Sequence, residues 1–241
     1  MRWPRALAFN AVLWGAGAAL SLWCLVGGRF LPDGILRAAR LWARLSLGAL
    51  RLFCGITVEA RGLERLPRGG CVIAAQHQSA MDILIWIALL PRPSFIFKRE
   101  LKRIPLFGAL LEPAGMIPVD RGGGRRALRE MLTRAGAAVA AGRQVVIFPE
   151  GTRRLPGIRG ELRQGIAALA QEIEAPVLPA TTDTGLRWGR RAFGQQPGVA
   201  HVALHAPLPA GLGREPLIAR LAGLYYGESG DPAGREKSEG E

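Results

Sequence analysis

The stretch Cys71-Val-Ile-Ala-Ala-Gln-His-Gln-Ser-Ala-Met-Asp-Ile-Leu-Ile-Trp86 reads as a strand, a tight turn and a helix. Cys71 to Ala75 is an apolar run of strand length; it stops at the polar pair Gln76 and His77, and a second apolar run follows. Ser79, three residues ahead of Asp82 and just before Ile83, Leu84 and Trp86, gives the S-x-x-D pattern of a helix start, with Ser79 as N-cap and Asp82 in the first turn. His77 is therefore expected where a strand hands over to a helix. The carboxylate of Asp82 can fold back onto one imidazole nitrogen, fix the tautomer and leave the other nitrogen free to take a proton. On these residues alone the plainer account is preferred: a solvated histidine, and an aspartate that serves the helix cap and dipole.

A second stretch shifts that balance. Val145-Val-Ile-Phe-Pro-Glu-Gly-Thr-Arg-Arg154 is again a β-branched strand, ending in a turn that carries a carboxylate and two arginines. With both stretches in view the chain resembles the glycerophospholipid acyltransferase family, most of all its bacterial lysophosphatidic acid acyltransferases. That family's His-x4-Asp motif is matched by His77 and Asp82, and its Phe-Pro-Glu-Gly-Thr-Arg motif by Phe148 to Arg153 without a gap. Two weaker blocks fit in order, Gly115-Met-Ile-Pro-Val-Asp-Arg121 and Pro176-Val-Leu-Pro-Ala180, so the resemblance runs roughly from Arg61 to Leu221. It implies a glycerol-3-phosphate acyltransferase-like fold. It also implies transfer of a fatty acyl group from acyl-CoA or acyl carrier protein to the sn-2 hydroxyl of lysophosphatidic acid, with His77 as general base and no metal or bound cofactor. Its phosphate- and acceptor-binding roles fall on Arg121, Glu150, Gly151, Thr152 and Arg153, and in second rank on Lys98. Departures are Gln76, where the family usually has Asn or Lys, and Leu162-Arg163 in place of a common Tyr-Lys pair. Both bear on which acceptor is preferred, so a lyso-aminolipid or another lysophospholipid stays open.

The wider composition sets bounds. The chain has 241 residues, enough for one sizeable core or a core with a small appendage. Lys and Arg outnumber Asp and Glu 32 to 19 while 49% of residues are apolar, a pairing that points first to an anionic membrane surface. A non-catalytic basic membrane-binding module is the rival of another class. No nucleic acid is expected as partner, because no recognised binding motif appears and the charge lies beside apolar stretches. Cys24, Cys54 and Cys71 are odd in number and lack metal-ligand spacing, which argues for a reducing compartment without structural disulfides.

Residues 1–55 read as a membrane-associated helical arm. Ala6 to Val26 contains no charge and, as a helix at about 1.5 Å per residue, reaches about 32 Å, the thickness of a hydrocarbon core. A cleaved signal peptide is the rival, poorly served by Val26-Gly-Gly-Arg-Phe-Leu-Pro. From Ile35 to Cys54 the arginines at 37, 40, 44 and 51 fall on one helical face, as in a helix lying among headgroups. More positive charge follows the first helix than precedes it, which places the following domain on the cytoplasmic face of the inner membrane. Whether the first helix spans or dips is left open by the residues; the family resemblance implies a dipping two-helix arm.

Residues 56–226 alternate strands and helices. Strands are expected at Ile56–Ala60, Cys71–Gln76, Ser94–Lys98, Gly115–Asp120, Gln144–Phe148, Pro176–Thr181 and Val199–His205, with the clearest helices at Arg125–Ala141 and Glu161–Glu174. The alternation predicts an α/β fold with a layered, mainly parallel sheet flanked by helices, and chemistry at the strand ends where His77, Arg121 and Glu150 sit. The tail from Gly227, rich in Gly, Glu and Ser, is expected to be disordered. Ser79 and Cys71 lie near enough to His77 to suggest nucleophiles. Ser79 is better used as a cap, and Cys71 lies inside an apolar run where an inert thiol is the ordinary case.

Overall fold

The computed structural model of the chain describes residues 3–189 and 194–227. The expected disordered tail lies outside them, apart from Gly227. Seven strands, β1 (Ile56–Arg61), β2 (Cys71–Ala75), β3 (Pro93–Lys98), β4 (Ile117–Val119), β5 (Gln144–Ile147), β6 (Val177–Thr182) and β7 (Gly198–Leu204), form one sheet in the order β1-β7-β6-β2-β5-β3-β4. Strands β6, β2, β5, β3 and β4 run parallel to one another; β7 is antiparallel to β6, and β1 is parallel to β7. The mainly parallel α/β layering is thus present, with two reversed strands at one edge.

All five residues of β2 are buried, as befits a central parallel strand covered on both faces. Its side chains alternate between two cores: Cys71, Ile73 and Ala75 on one face, Val72 and Ala74 on the other. The first face is covered by α1 (Trp3–Val26), α2 (Gly34–Cys54) and α3 (Met81–Leu89); the second by α5 (Gly124–Ala140), α6 (Gly165–Glu172) and α7 (Arg214–Tyr226). The four-residue α4 (Gly108–Leu111) lies between β3 and β4.

Two boundaries differ from expectation for reasons that reach the site. Helix α6 starts at Gly165 rather than Glu161, because Leu162 is buried in the core and the Arg163 N–H is held at 2.7 Å by the Pro149 carbonyl. Strand β4 starts at Ile117 rather than Gly115, since Gly115 has φ 82° and its carbonyl accepts the Ser94 hydroxyl. Helix α5 ends as the sequence predicts: Gly142 has φ 74°, and the amides of Gly142 and Arg143 close onto the carbonyls of Val139 and Ala138 in a Schellman motif.

Helices α1 and α2 pack along each other, with Trp42 Nε1 donating to the Leu13 carbonyl at 2.8 Å. Helix α1 is long and apolar enough to cross a membrane. Yet Phe9 is fully buried against the edge of Trp188, and Leu50 and Ala43 belong to the same core as Trp86 of α3. The pair therefore lies against the sheet layer. Trp3, Leu7, Trp14, Leu22, Val26, Phe30 and Leu31 are exposed on its outside. On α2 the exposed arginines are Arg37, Arg44 and Arg51, beside a second exposed row of Leu41, Leu45 and Leu52. Arg40, expected among them, instead turns inward and donates to the carbonyls of Leu90 and Pro91, where α3 ends.

Candidate active site

Strand β2 ends at Ala75 and α3 begins at Met81, so residues 76–80 form the turn that carries His77. Asp82, whose side chain is 1% exposed, organises it. Its Oδ2 accepts the amides of Gln78 (2.8 Å) and Ser79 (2.9 Å) and lies 2.8 Å from His77 Nδ1; its Oδ1 accepts the hydroxyl of Thr184. The Ser79–Asp82 capping pair is recognisable in these bonds: Asp82 holds the Ser79 N–H, and Ser79 Oγ accepts the Met81 N–H at 3.1 Å. Helix α3 itself starts two residues after Ser79, with no side-chain bond at Ala80. A carboxylate receiving amide and hydroxyl donors is acceptor-only, so the proton of the His77–Asp82 bond sits on Nδ1. Nε2 is then the acceptor, and it has no protein partner among the described residues. The imidazole stacks on Phe148 of the second motif at 4.0 Å between ring centres and 22° between planes, which fixes its remaining rotation.

Glu150 lies beneath this turn. It is 1% exposed; Oε2 accepts the His77 backbone N–H at 2.7 Å and Oε1 accepts the Tyr226 hydroxyl at 2.9 Å. Burial pushes its carboxyl above the ordinary range, against the lowering pull of those two donors. Glu150, expected as an acceptor-binding group, accepts one protein donor on each oxygen and through them holds the shape of the histidine turn. The Arg154 N–H donates to the His77 carbonyl at 2.8 Å, which joins the two motifs a second time. Gly151, with φ 68°, makes the turn that lets the chain pass from Glu150 to Arg153; an added Cβ would also press on Arg163 at 3.3 Å. Thr152 is half-buried, and Arg153 is exposed with no ion pair among the described residues.

Lys98 and Arg121 sit farther along the same edge. His77, Glu150 and Arg121 follow the C-terminal ends of β2, β5 and β4, and Lys98 is the last residue of β3; the strands are neighbours in the order β2, β5, β3, β4. At about 4.8 Å between strands the row spans about 14 Å. Lys98 is paired with Glu100 at 3.1 Å. Glu100's own backbone N–H, then Lys98, and at longer range Arg121, hold its carboxyl below the usual range. Arg121 is exposed and follows β4 after one intervening residue, Asp120, which pairs with Arg99 at 3.8 Å. Cys71 is fully buried and its thiol is pushed up to about 12 by desolvation, so it carries no thiolate near neutrality.

Three residues that support the site, Thr184, Tyr225 and Tyr226, were not singled out by the sequence. Thr184 reaches Asp82 from the turn after β6, across 102 positions of chain. Tyr226 and Tyr225 bring α7 to the site; Tyr225 OH donates to the Ala74 carbonyl at 2.7 Å. Gln76, the departure from the family pattern, has a structural use: its Oε1 accepts the Thr182 N–H and its Nε2 donates to the Tyr225 carbonyl. The paired tyrosines near the end of the chain were the one available signal, since a buried tyrosine hydroxyl needs a partner.

Comparison with known proteins fits this geometry. The family model described as "Acyltransferase" matches residues 57–183, more than half of the chain and all of the His77 and Glu150 turns. Over 172 residues the chain is 36% identical to a 1-acyl-sn-glycerol-3-phosphate acyltransferase of Pseudomonas aeruginosa, covering 68% of this chain and 66% of the relative. It is 33% identical over 138 residues to the human 1-acyl-sn-glycerol-3-phosphate acyltransferase alpha, covering 56% of this chain and 49% of that protein. The chain thus spans between about half and two thirds of the length of these relatives. The fold matches the crystal structure of the 1-acyl-sn-glycerophosphate (LPA) acyltransferase PlsC from Thermotoga maritima with a TM-score of 0.80 at 22% identity, over 98% of this chain and 99% of that one. The paired motifs, their meeting at one sheet edge and these matches lead to one conclusion: the chain belongs to the acyltransferase family.

Proposed function

We propose that this protein transfers a fatty acyl group from acyl-CoA or acyl carrier protein to the sn-2 hydroxyl of lysophosphatidic acid, giving phosphatidic acid, with His77 as general base. The observation that carries the reading is the buried Asp82 carboxylate on His77 Nδ1, which leaves Nε2 as the acceptor at a sheet edge that also presents Lys98, Arg121 and Arg153. The acceptor hydroxyl gives its proton to Nε2 as its oxygen attacks the thioester carbonyl. The tetrahedral intermediate then collapses, the carbon–sulfur bond breaks, and the imidazolium returns the proton to the departing thiolate. Asp82 stays ionised throughout and stabilises the imidazolium. Exposed arginines beside the turn suit a phosphomonoester, whose oxygens accept two parallel donors from a guanidinium. No metal or bound cofactor enters this scheme.

The arm extends the reading to location. Its outward tryptophans and leucines, next to the row of Arg37, Arg44 and Arg51, suit a helix pair that dips into the cytoplasmic leaflet while the sheet layer stays in water. Substrate and product then remain in the leaflet. The test is a panel: membranes carrying the protein or its His77→Ala variant are given labelled acyl-CoA or acyl carrier protein with lysophosphatidic acid, other lysophospholipids and a lyso-aminolipid. Acylation of lysophosphatidic acid that falls about 10²- to 10⁴-fold in His77→Ala supports the proposal. Exclusive labelling of another acceptor, or an active His77→Ala protein, defeats it.

A further inference from the structure

We propose that Thr184 is a positioning residue for the proton-transfer pair, holding Asp82 as the ionised partner of His77 through its hydroxyl; this rests on the general-base reading of His77. Thr184 is fully buried and its Oγ1 donates to Asp82 Oδ1, the oxygen that receives none of the turn's own donors. The other three donors, His77 Nδ1–H and the amides of Gln78 and Ser79, all converge on Oδ2. Among the described residues Thr184 thus supplies the hydrogen bond to one carboxylate oxygen in a group that is 1% exposed.

The segment that delivers the hydroxyl is itself held firmly. The Thr184 N–H is accepted by Thr182 Oγ1 at 3.2 Å; Asp183 accepts the His201 N–H at 2.6 Å and lies 2.8 Å from His201 Nδ1. The Gly185 N–H donates to Gln78 Oε1, and the Thr182 N–H to Gln76 Oε1. Side chains at 76, 78 and 82 therefore all clamp onto residues 182–185, so the end of β6 serves as a template for the histidine turn. A side chain that only filled space here needs no hydroxyl; one that sets Asp82 does.

The electrostatic consequence has a definite sign. With His77 neutral the pair carries one negative charge, and with His77 protonated it carries none; the Thr184 hydroxyl favours the charged state more strongly. Removing it makes the neutral pair easier to reach, so the acidic limb of activity moves to higher pH. Other ionisable groups around the pair are Glu150 and, through it, Tyr226 from α7; Arg154 beside them; and the His201–Asp183 pair with Glu59, 3.8 Å from His201 Nε2. All of these are common to parent and variant, so a difference between the two isolates the hydroxyl.

The experiment compares kcat/KM against pH for the parent, Thr184→Val and Thr184→Ser, with His77→Ala alongside. Valine keeps the shape and loses the donor. We expect Thr184→Val to move the acidic limb upward by about 0.5 to 1 pH unit, and so to lower kcat/KM about 3- to 10-fold at pH values below that limb, as suits a lost hydrogen bond to a charged group. Thr184→Ser should return the limb to the parent position. If the valine protein does not fold, Thr184→Ala, which lacks the hydroxyl and adds no bulk, takes its place. A limb that stays put in Thr184→Val, or moves as far in Thr184→Ser, makes Thr184 a packing residue and overturns the proposal. With His77→Ala inactive, that failure belongs to Thr184 alone; an active His77→Ala removes the general-base reading itself.

Discussion

Replacing Asp82 by asparagine separates two things that the carboxylate does for His77: holding the ring and supplying a negative charge. The geometry dictates which way the new amide turns. Three fixed donors meet at Oδ2, whereas among the described residues Oδ1 meets only the Thr184 hydroxyl, which can rotate to accept instead of donate. The asparagine oxygen should take the Oδ2 position and its NH2 should face Thr184. His77 then keeps its orientation and its Nδ1 proton, and only the charge is lost. With Nδ1 and Oδ2 2.8 Å apart, the charge centres of imidazolium and carboxylate are about 4 Å apart, worth about 4 kcal/mol at an effective dielectric of about 20. At about 1.4 kcal/mol per factor of ten, that predicts a loss of roughly 10³-fold in kcat. The hydrogen bonds weaken by about 1 kcal/mol each on going from a charged to a neutral acceptor, partly offset because a charge is no longer buried. Tm should therefore fall by only about 2 to 6 °C. The assay is steady-state kcat at saturating acyl donor and acceptor, with a melting curve on the same preparation. A folded Asp82→Asn protein within tenfold of the parent would show that charge on Asp82 does not matter to the transition state, and the argument would fail.

Three further expectations follow from the same structure. Burial raises the Glu150 carboxyl above its ordinary 4.5, so the folded state holds a proton that the unfolded state has lost; stability declines as pH rises through that window and the cost persists above it. Glu150→Gln should flatten Tm against pH and melt no lower than the parent at neutral pH while activity falls; a Tm lowered by several degrees there would contradict this. Arg153→Lys keeps the charge but loses the fork, so the apparent KM for lysophosphatidic acid should rise more than that for the acyl donor. An unchanged acceptor KM with lowered Tm would move Arg153 into the scaffold. Because core residues of α1 and α2 pack against the strands and α3, the arm is best tested in the full chain: 1 M salt should leave the protein on anionic vesicles, whereas Leu7→Asp with Trp14→Asp should release it without changing Tm. Release by salt alone would make the contact purely electrostatic.

The sequence by itself determined the strands, the parallel core of the sheet and the two motif turns. Periodicity and turn residues are local quantities, and six of the seven strands lie within one residue of their expected bounds at each end. The helix end at Gly142 was legible for the same reason, since only glycine takes that backbone angle cheaply. Even the His77–Asp82 contact was readable, because it closes over five residues. What the tertiary structure decided were contacts between distant segments. The motif around Glu150 gave no sign that its two oxygens tie the histidine turn to α7. Arg40 matched the spacing of a headgroup arginine, but the end of α3 supplied carbonyls for it. Glu161 to Gln164 had helical composition, and the burial of Leu162 with the bond from Arg163 to Pro149 outweighed that preference. Thr184 had no local signal at all. A hydroxyl's partner is set by which strand ends lie side by side, and β6 beside β2 is a property of the assembled sheet, not of either strand.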